Sequence, residues 1–191
     1  ILLLPIGFPH SLLPLLLREA IVLAAVVMVA DSKRNLTVGL AIGIPTCVLL
    51  LFTHGASITA LDWVAYLLVT VLYSYVIWLM LDRIFHTPVV TIDVIVMALC
   101  TYLLLGQLWM VFYAPIAILN PEAFSQPIIQ PGTDAGLTLP YFSDVTLTTL
   151  GYGDISPVSP WARSLAILEA LVGTLYLAVM ISRLVGTYRS Q

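Results

Sequence analysis

Charge is what this chain has least of. Charged residues make up 9% of its 191 positions, against about 25% in an ordinary soluble domain. The seven basic residues are scattered along the chain, which excludes the clustered Lys and Arg footprint of a nucleic-acid binder. Cysteine is nearly absent as well. Cys47 and Cys100 both lie inside apolar runs, where they read as small hydrophobes rather than as a disulfide or a metal site. His10, His54 and His86 are isolated, each near a predicted helix end, which favours interfacial positions over metal ligation. A GxSxG elbow and an HExxH zinc motif are missing, so the main sequence signatures of a serine hydrolase or a zinc protease are missing too. The reading is therefore of a protein that is not an enzyme. The opening ILLLPIGF lacks the basic flank and small-residue cleavage site of a signal peptide.

What is abundant is apolar side chain. Hydrophobic residues reach 61% and the mean hydropathy is +1.07, so lipid is the main solvent. A helix that spans a bilayer needs about 20 mostly apolar residues. Five stretches qualify, at 12–30, 36–53, 61–81, 92–118 and 164–186. Residues 1–8 are apolar but too short to span, and are expected to be the end of a sixth helix whose start is missing. The fold class is an all-α integral membrane protein of about five spans. Arg18 and Glu19 fall inside the first span; a charged pair in lipid is costly and should face protein or an interface. Positive charge marks the cytoplasmic side. Lys33, Arg34, Arg83, Arg183 and Arg189 sit in alternate links or at the chain end. All then face the cytoplasm, with residues 119–163 outside and Arg163 the one outward basic residue.

Residues 119–140 are rich in Pro and Gly and read as an extracellular loop. A short helix is predicted at 141–148, too short to cross. TLTTLGYGDISP follows at 146–157. Non-helical backbone at membrane depth is tolerated only where protein buries it or where it lines a water-filled cavity. The pattern is thus a re-entrant loop beside a pore. A dehydrated cation needs oxygens in place of its hydration shell, or its transfer costs on the order of tens of kcal/mol. Carbonyls turned to one side of an extended strand supply them. Turning them needs positive φ, which glycine adopts cheaply, and Gly151 and Gly153 alternate suitably.

The run Thr148-Thr149-Leu150-Gly151-Tyr152-Gly153-Asp154 resembles the potassium-channel signature TTVGYGD. In that family the TVGYG carbonyls replace the hydration shell of the ion. Leu150 in place of valine is the one departure. The order of outer helix 92–118, loop 119–140, pore helix 141–148, filter 149–153 and inner helix 164–186 also matches the family's pore, so 92–191 reads as a pore domain. The resemblance implies potassium held at Thr149, Leu150, Gly151 and Tyr152, with Gly153 completing the filter. Tyr152 would point outward against neighbouring helices and Leu150 would pack behind the strand. Thr148 and Asp154 would support the filter and its outer mouth. Asp144 and Glu169 are intramembrane carboxyls, and so functional candidates by default. Each is expected to stay protonated or to bond a threonine hydroxyl, as a structural polar contact rather than a gate. The pore-helix glutamate found in some family members is replaced here by Val145. Gly173 matches the family's hinge glycine, and Thr174, Leu177, Ile181 and Val185 recur at helical spacing as cavity-lining candidates. Trp161 and Arg163 read as interface anchors.

Residues 1–91 match the family only in helix number and sidedness. They occupy the place of a voltage sensor, yet the helix at 61–81 carries no Lys or Arg before Arg83, past its predicted end. A gating charge moved through about 100 mV supplies about 2.3 kcal/mol, so this helix should give little voltage dependence. The expected function is a potassium-selective channel subunit in the plasma membrane, multi-pass, without cofactor, with potassium as the permeant ion. The resemblance implies a homotetramer, three identical subunits and the bilayer being its partners, with no nucleic acid. A cation channel of low selectivity and a non-conducting regulatory subunit are the alternatives.

Overall fold

The structure is a computed structural model, which describes residues 12–30, 32–52, 60–128 and 135–188. The expectations placed on residues 1–8, His10, His54 and Arg189 lie outside the described residues, as do 129–134 of the 119–140 loop. So does the Arg18 side chain. Among the described residues six helices follow in order: α1 Leu12–Val29, α2 Lys33–Phe52, α3 Ala60–His86, α4 Ile92–Leu119, α5 Ala135–Leu147 and α6 Pro160–Tyr188, with a 3-10 turn at Pro121–Ala123. The chain is an all-α membrane protein. Four described stretches are long and apolar enough to cross a bilayer, at Lys33–Leu51, Ala60–His86, Ile92–Leu119 and Pro160–Arg183. Five spans are expected from the sequence; α1 contributes the shorter apolar stretch Glu19–Val29.

Several helix ends differ from the sequence expectation, for local reasons. Ser32 caps α2, its hydroxyl accepting from Asn35 N–H at 3.1 Å. Lys33 and Arg34 therefore open the helix instead of lying in a link, since an N-cap serine satisfies an orphan donor of the first turn. The third helix runs on through Asp82 and Arg83 to His86. It stops where Pro88 disfavours helical backbone at Thr87. Arg83 is in its last turn, not past its end. The inner helix starts at Pro160, earlier than 164. Proline at the first helical position lacks only an orphan N–H, and Ser159 Oγ accepts from Ala162 N–H at 3.3 Å.

The largest correction concerns α5. It begins at Ala135 and carries Pro140 inside it, where a loop is expected up to 140. The Pro and Gly of this stretch are loop signals, but packing overrides them. Leu139, Phe142, Ser143 and Leu147 are all buried, which is the single-face spacing of a packed helix.

The chain divides into two compact units, Ile1–Met80 and Leu81–Gln191, with the division inside α3. In the first unit α1 packs on α2. The pair approaches closely because Gly39 and Gly43 offer no side chain. A Cβ on Gly39 would strike Val26, and one on Gly43 would strike Leu23. Such small-residue spacing lets helix backbones meet in lipid, where the hydrophobic effect cannot drive them together. Glu19 is buried here, and the Tyr73 hydroxyl donates to its Oε1 at 3.5 Å. The charge that is costly in lipid thus faces protein.

In the second unit α4, α5 and α6 pack on one another in all three pairs. At one end, Arg183 of α6 donates to the Thr87 carbonyl at 2.6 Å and lies over the Phe85 ring. At the other end, the Asn120 side chain accepts from Glu122 N–H and turns the chain into the 3-10 segment. Residues after that turn pair with the chain that leads into α6. Ser125 N–H donates to Ser156 O at 2.9 Å, and Val158 N–H to Ala123 O at 2.8 Å.

Candidate functional site: the α5 to α6 segment

The end of α5 is a Schellman motif. Leu150 N–H donates to Val145 O and Thr149 N–H to Thr146 O, both at 3.0 Å. The residue that must turn left-handed in such a cap is usually glycine. Here it is Thr149, with φ 57°. For a residue with a Cβ this conformation costs about 1–2 kcal/mol. Gly151 and Gly153 follow with φ 58° and 79°. Leu150 and Tyr152, between them, are not in the left-handed region. The backbone alternates from 149 to 153, beginning at the helix cap itself. The two glycines were legible from sequence; the threonine was not, because only the cap bonds reveal it. Thr148, the other half of the pair, bonds back into the helix, its hydroxyl donating to Asp144 O at 2.7 Å.

The alternating segment has almost no packing of its own in the single chain. A Cβ built on Gly151 or Gly153 meets nothing within 4 Å. Leu150 is 55% exposed and Tyr152 67%. The expected packing of Leu150 behind the strand, and of Tyr152 against helices, does not occur within the single chain.

The outer end of the segment is held firmly. Tyr141 donates from its hydroxyl to Asp154 Oδ2 at 2.7 Å, and Gln126 Nε2 donates to Asp154 O at 2.9 Å. The Tyr141 hydroxyl holds the Asp154 carboxyl below its ordinary range, because a donor to the charged form favours it. Neither Tyr141 nor Gln126 is singled out by the sequence motif. Behind them Tyr113, Phe124 and Phe142 meet edge to face, with centroids 5.0 to 6.0 Å apart. Such geometry suits the ring quadrupoles.

The back of α5 is stitched to its two neighbours. Glu169 is fully buried. It accepts from the Tyr113 hydroxyl at 2.7 Å and lies 2.5 Å from Ser143 Oγ. Its partners are thus a serine and a tyrosine rather than the threonine expected. Asp144, its companion in the sequence reading, lies beside Gly106, where a Cβ would strike its carboxyl oxygen. Tyr102 donates to Leu147 O at 3.2 Å, and Tyr176 donates across to Ala98 O at 2.7 Å. Gly173 has a close neighbour. A Cβ there would strike the Leu147 carbonyl, so absence of a side chain is what seats the end of α5 on α6. A further role as a hinge stays with the resemblance. Thr174, Leu177, Ile181 and Val185 lie on exposed faces of α6, and Thr174 turns its hydroxyl back to Ala170 O at 2.9 Å.

Comparison with known proteins returns the same region. Residues 129–190 match the model of a family described as ion channel. The chain is similar to the two-pore potassium channel 5 of Arabidopsis thaliana, with 41% identity over 46 residues. That match covers 24% of this chain and 11% of the relative, so only a small part of the relative's length is represented. No solved structure matches the chain. The family match and the relative support the recognition first carried by TTLGYGD, that of the potassium-channel superfamily.

Proposed function

We propose that this chain is one subunit of a potassium-selective channel, in which four copies bring their 149–153 segments around one axis. The alternation of left-handed φ at Thr149, Gly151 and Gly153 carries this reading. Alternation at every second residue is the backbone condition for carbonyls that face one side, and rings of carbonyls are what replace an ion's hydration shell in such filters. Potassium is held at Thr149, Leu150, Gly151 and Tyr152, and Asp154 draws cations to the mouth.

The exposure of Leu150 and Tyr152 supports assembly. Large exposed apolar patches mark interaction surfaces, and a closed ring supplies neighbours to every copy. One filter segment occurs in these residues, so four chains complete the ring. The chain does no covalent chemistry; it conducts down a gradient in a cell membrane, with little voltage dependence of its own. The basic residues of α3, Arg83 and His86, lie in its last turn rather than along its length.

Liposome flux tests the reading. Vesicles carrying the purified chain should pass potassium, stop when barium is added, and pass little sodium. Equal potassium and sodium flux would move the assignment to a cation channel of low selectivity. Flux that never appears, with the tetramer intact, would leave a non-conducting subunit.

A further inference from the structure

Three short contacts link Tyr113, Glu169, Ser143 and Gly106 in a row, and they do not have enough protons if Glu169 is charged. The Tyr113 hydroxyl bonds Glu169 Oε2 at 2.7 Å. Ser143 Oγ lies 2.5 Å from Glu169 Oε1 and 2.7 Å from the Gly106 carbonyl. Each contact needs one hydrogen. Tyr113 brings one and Ser143 brings one. A carbonyl brings none, so the Ser143 proton goes to Gly106. The remaining contact, between Ser143 Oγ and Glu169 Oε1, would then join two acceptors at 2.5 Å. Only a proton on the carboxyl resolves it.

We infer that Glu169 is a neutral carboxylic acid whose own proton bridges it to Ser143, and that this relay of Tyr113, Glu169, Ser143 and Gly106 positions the pore helix against α4 and α6. The surroundings agree. Glu169 and Ser143 are both fully buried. The titratable groups that face the carboxyl are Tyr113 and Tyr102 from α4 and Asp144 from α5. None of them brings positive charge, and Asp144 would repel a carboxylate. A buried charge without a partner is far costlier than a protonated acid. The relay joins all three helices: Gly106 and Tyr113 are on α4, Ser143 on α5 and Glu169 on α6. The filter begins six residues beyond Ser143, at Thr149. Glu169 is a positioning residue, acting on the filter through Ser143. That role rests on the channel reading, whereas its protonation does not.

Infrared difference spectra of the purified protein in lipid vesicles at neutral pH test the protonation without any flux. The wild type minus Glu169→Gln spectrum should show a protonated carboxyl stretch that belongs to Glu169. Carboxylate bands in its place would overturn the inference. Glu169→Gln keeps an acceptor for Tyr113 and a donor for Ser143, so it should melt within a few degrees of the wild type. Glu169→Leu removes both and should melt well below it. A Gln variant as unstable as the Leu variant would overturn the relay. Where both fold, the ratio of potassium to sodium flux should hold in Glu169→Gln and fall in Glu169→Leu. Equal ratios in the two variants would overturn the positioning role, while a wild type without flux would count against the channel reading and leave the infrared result standing.

Discussion

The back and the front of the α5 to filter segment are built on opposite terms. The back is buried and hydrogen-bonded. Ser143, Glu169 and Tyr113 are buried to the last few per cent, and hydrogen bonds run from α5 to both α4 and α6. The front, from Leu150 to Gly153, meets almost nothing of its own chain. A single chain therefore completes the support and leaves the surface at 150–153 open. The helix is fixed by contacts within the chain, and the strand by its cap and by its pin at Asp154; in the proposed tetramer, neighbouring copies supply the rest.

Breaking the back should do the most damage. Gly173→Ala puts a methyl group against the Leu147 carbonyl, a backbone atom that cannot swing aside. Overpacking of this kind costs about 1–3 kcal/mol or more. Flux should be lost and the proposed tetramer weakened on native gels, whereas a change at the exposed Leu175 should leave both intact. Tyr113→Phe comes next. It removes a donor from a buried acid, and an unsatisfied buried group costs about 1–3 kcal/mol. Unfolding in detergent should shift by that amount, with part of the flux retained.

The outer pin allows a finer test. The Tyr141 hydroxyl keeps Asp154 ionised to lower pH than a free carboxylate. A group whose folded-state value is depressed contributes above its unfolded value, and loses that contribution as pH falls through the folded one. The wild-type mouth should thus withstand external acid down to below the ordinary aspartate value of 3.8. In Tyr141→Phe, acid inhibition of flux should begin at higher pH. An unmoved acid limb would show that the pin does not govern the mouth. The smallest effect should come from Leu150→Val. Both side chains are aliphatic, and such swaps usually cost less than about 1.5 kcal/mol. The potassium to sodium flux ratio should stay nearly the same.

Much of the front was legible in the sequence: Gly151 and Gly153 were marked there as the positions for positive φ, and both adopt it. The helices α4 and α6 were legible as long, mostly apolar stretches. The back was not. Glu169 is 26 residues from Ser143 and 56 from Tyr113, and no local pattern announces partners that distant. The early start of α5 was hidden by Pro140 and its neighbouring glycines, whose usual meaning is a loop. Thr149 was read only as one of the residues that hold potassium, yet its left-handed backbone follows from a helix cap visible only through the bonds at Val145 and Thr146. Arg83 was misplaced because a run of apolar residues ends before the helix does.

Potassium selection by the alternating 149–153 segment is tested by the reversal potential of the reconstituted protein in a planar bilayer, with potassium on one side and sodium on the other. The reversal should lie far from zero, toward the potassium equilibrium potential. A reversal near zero, from channels that conduct, would contradict it.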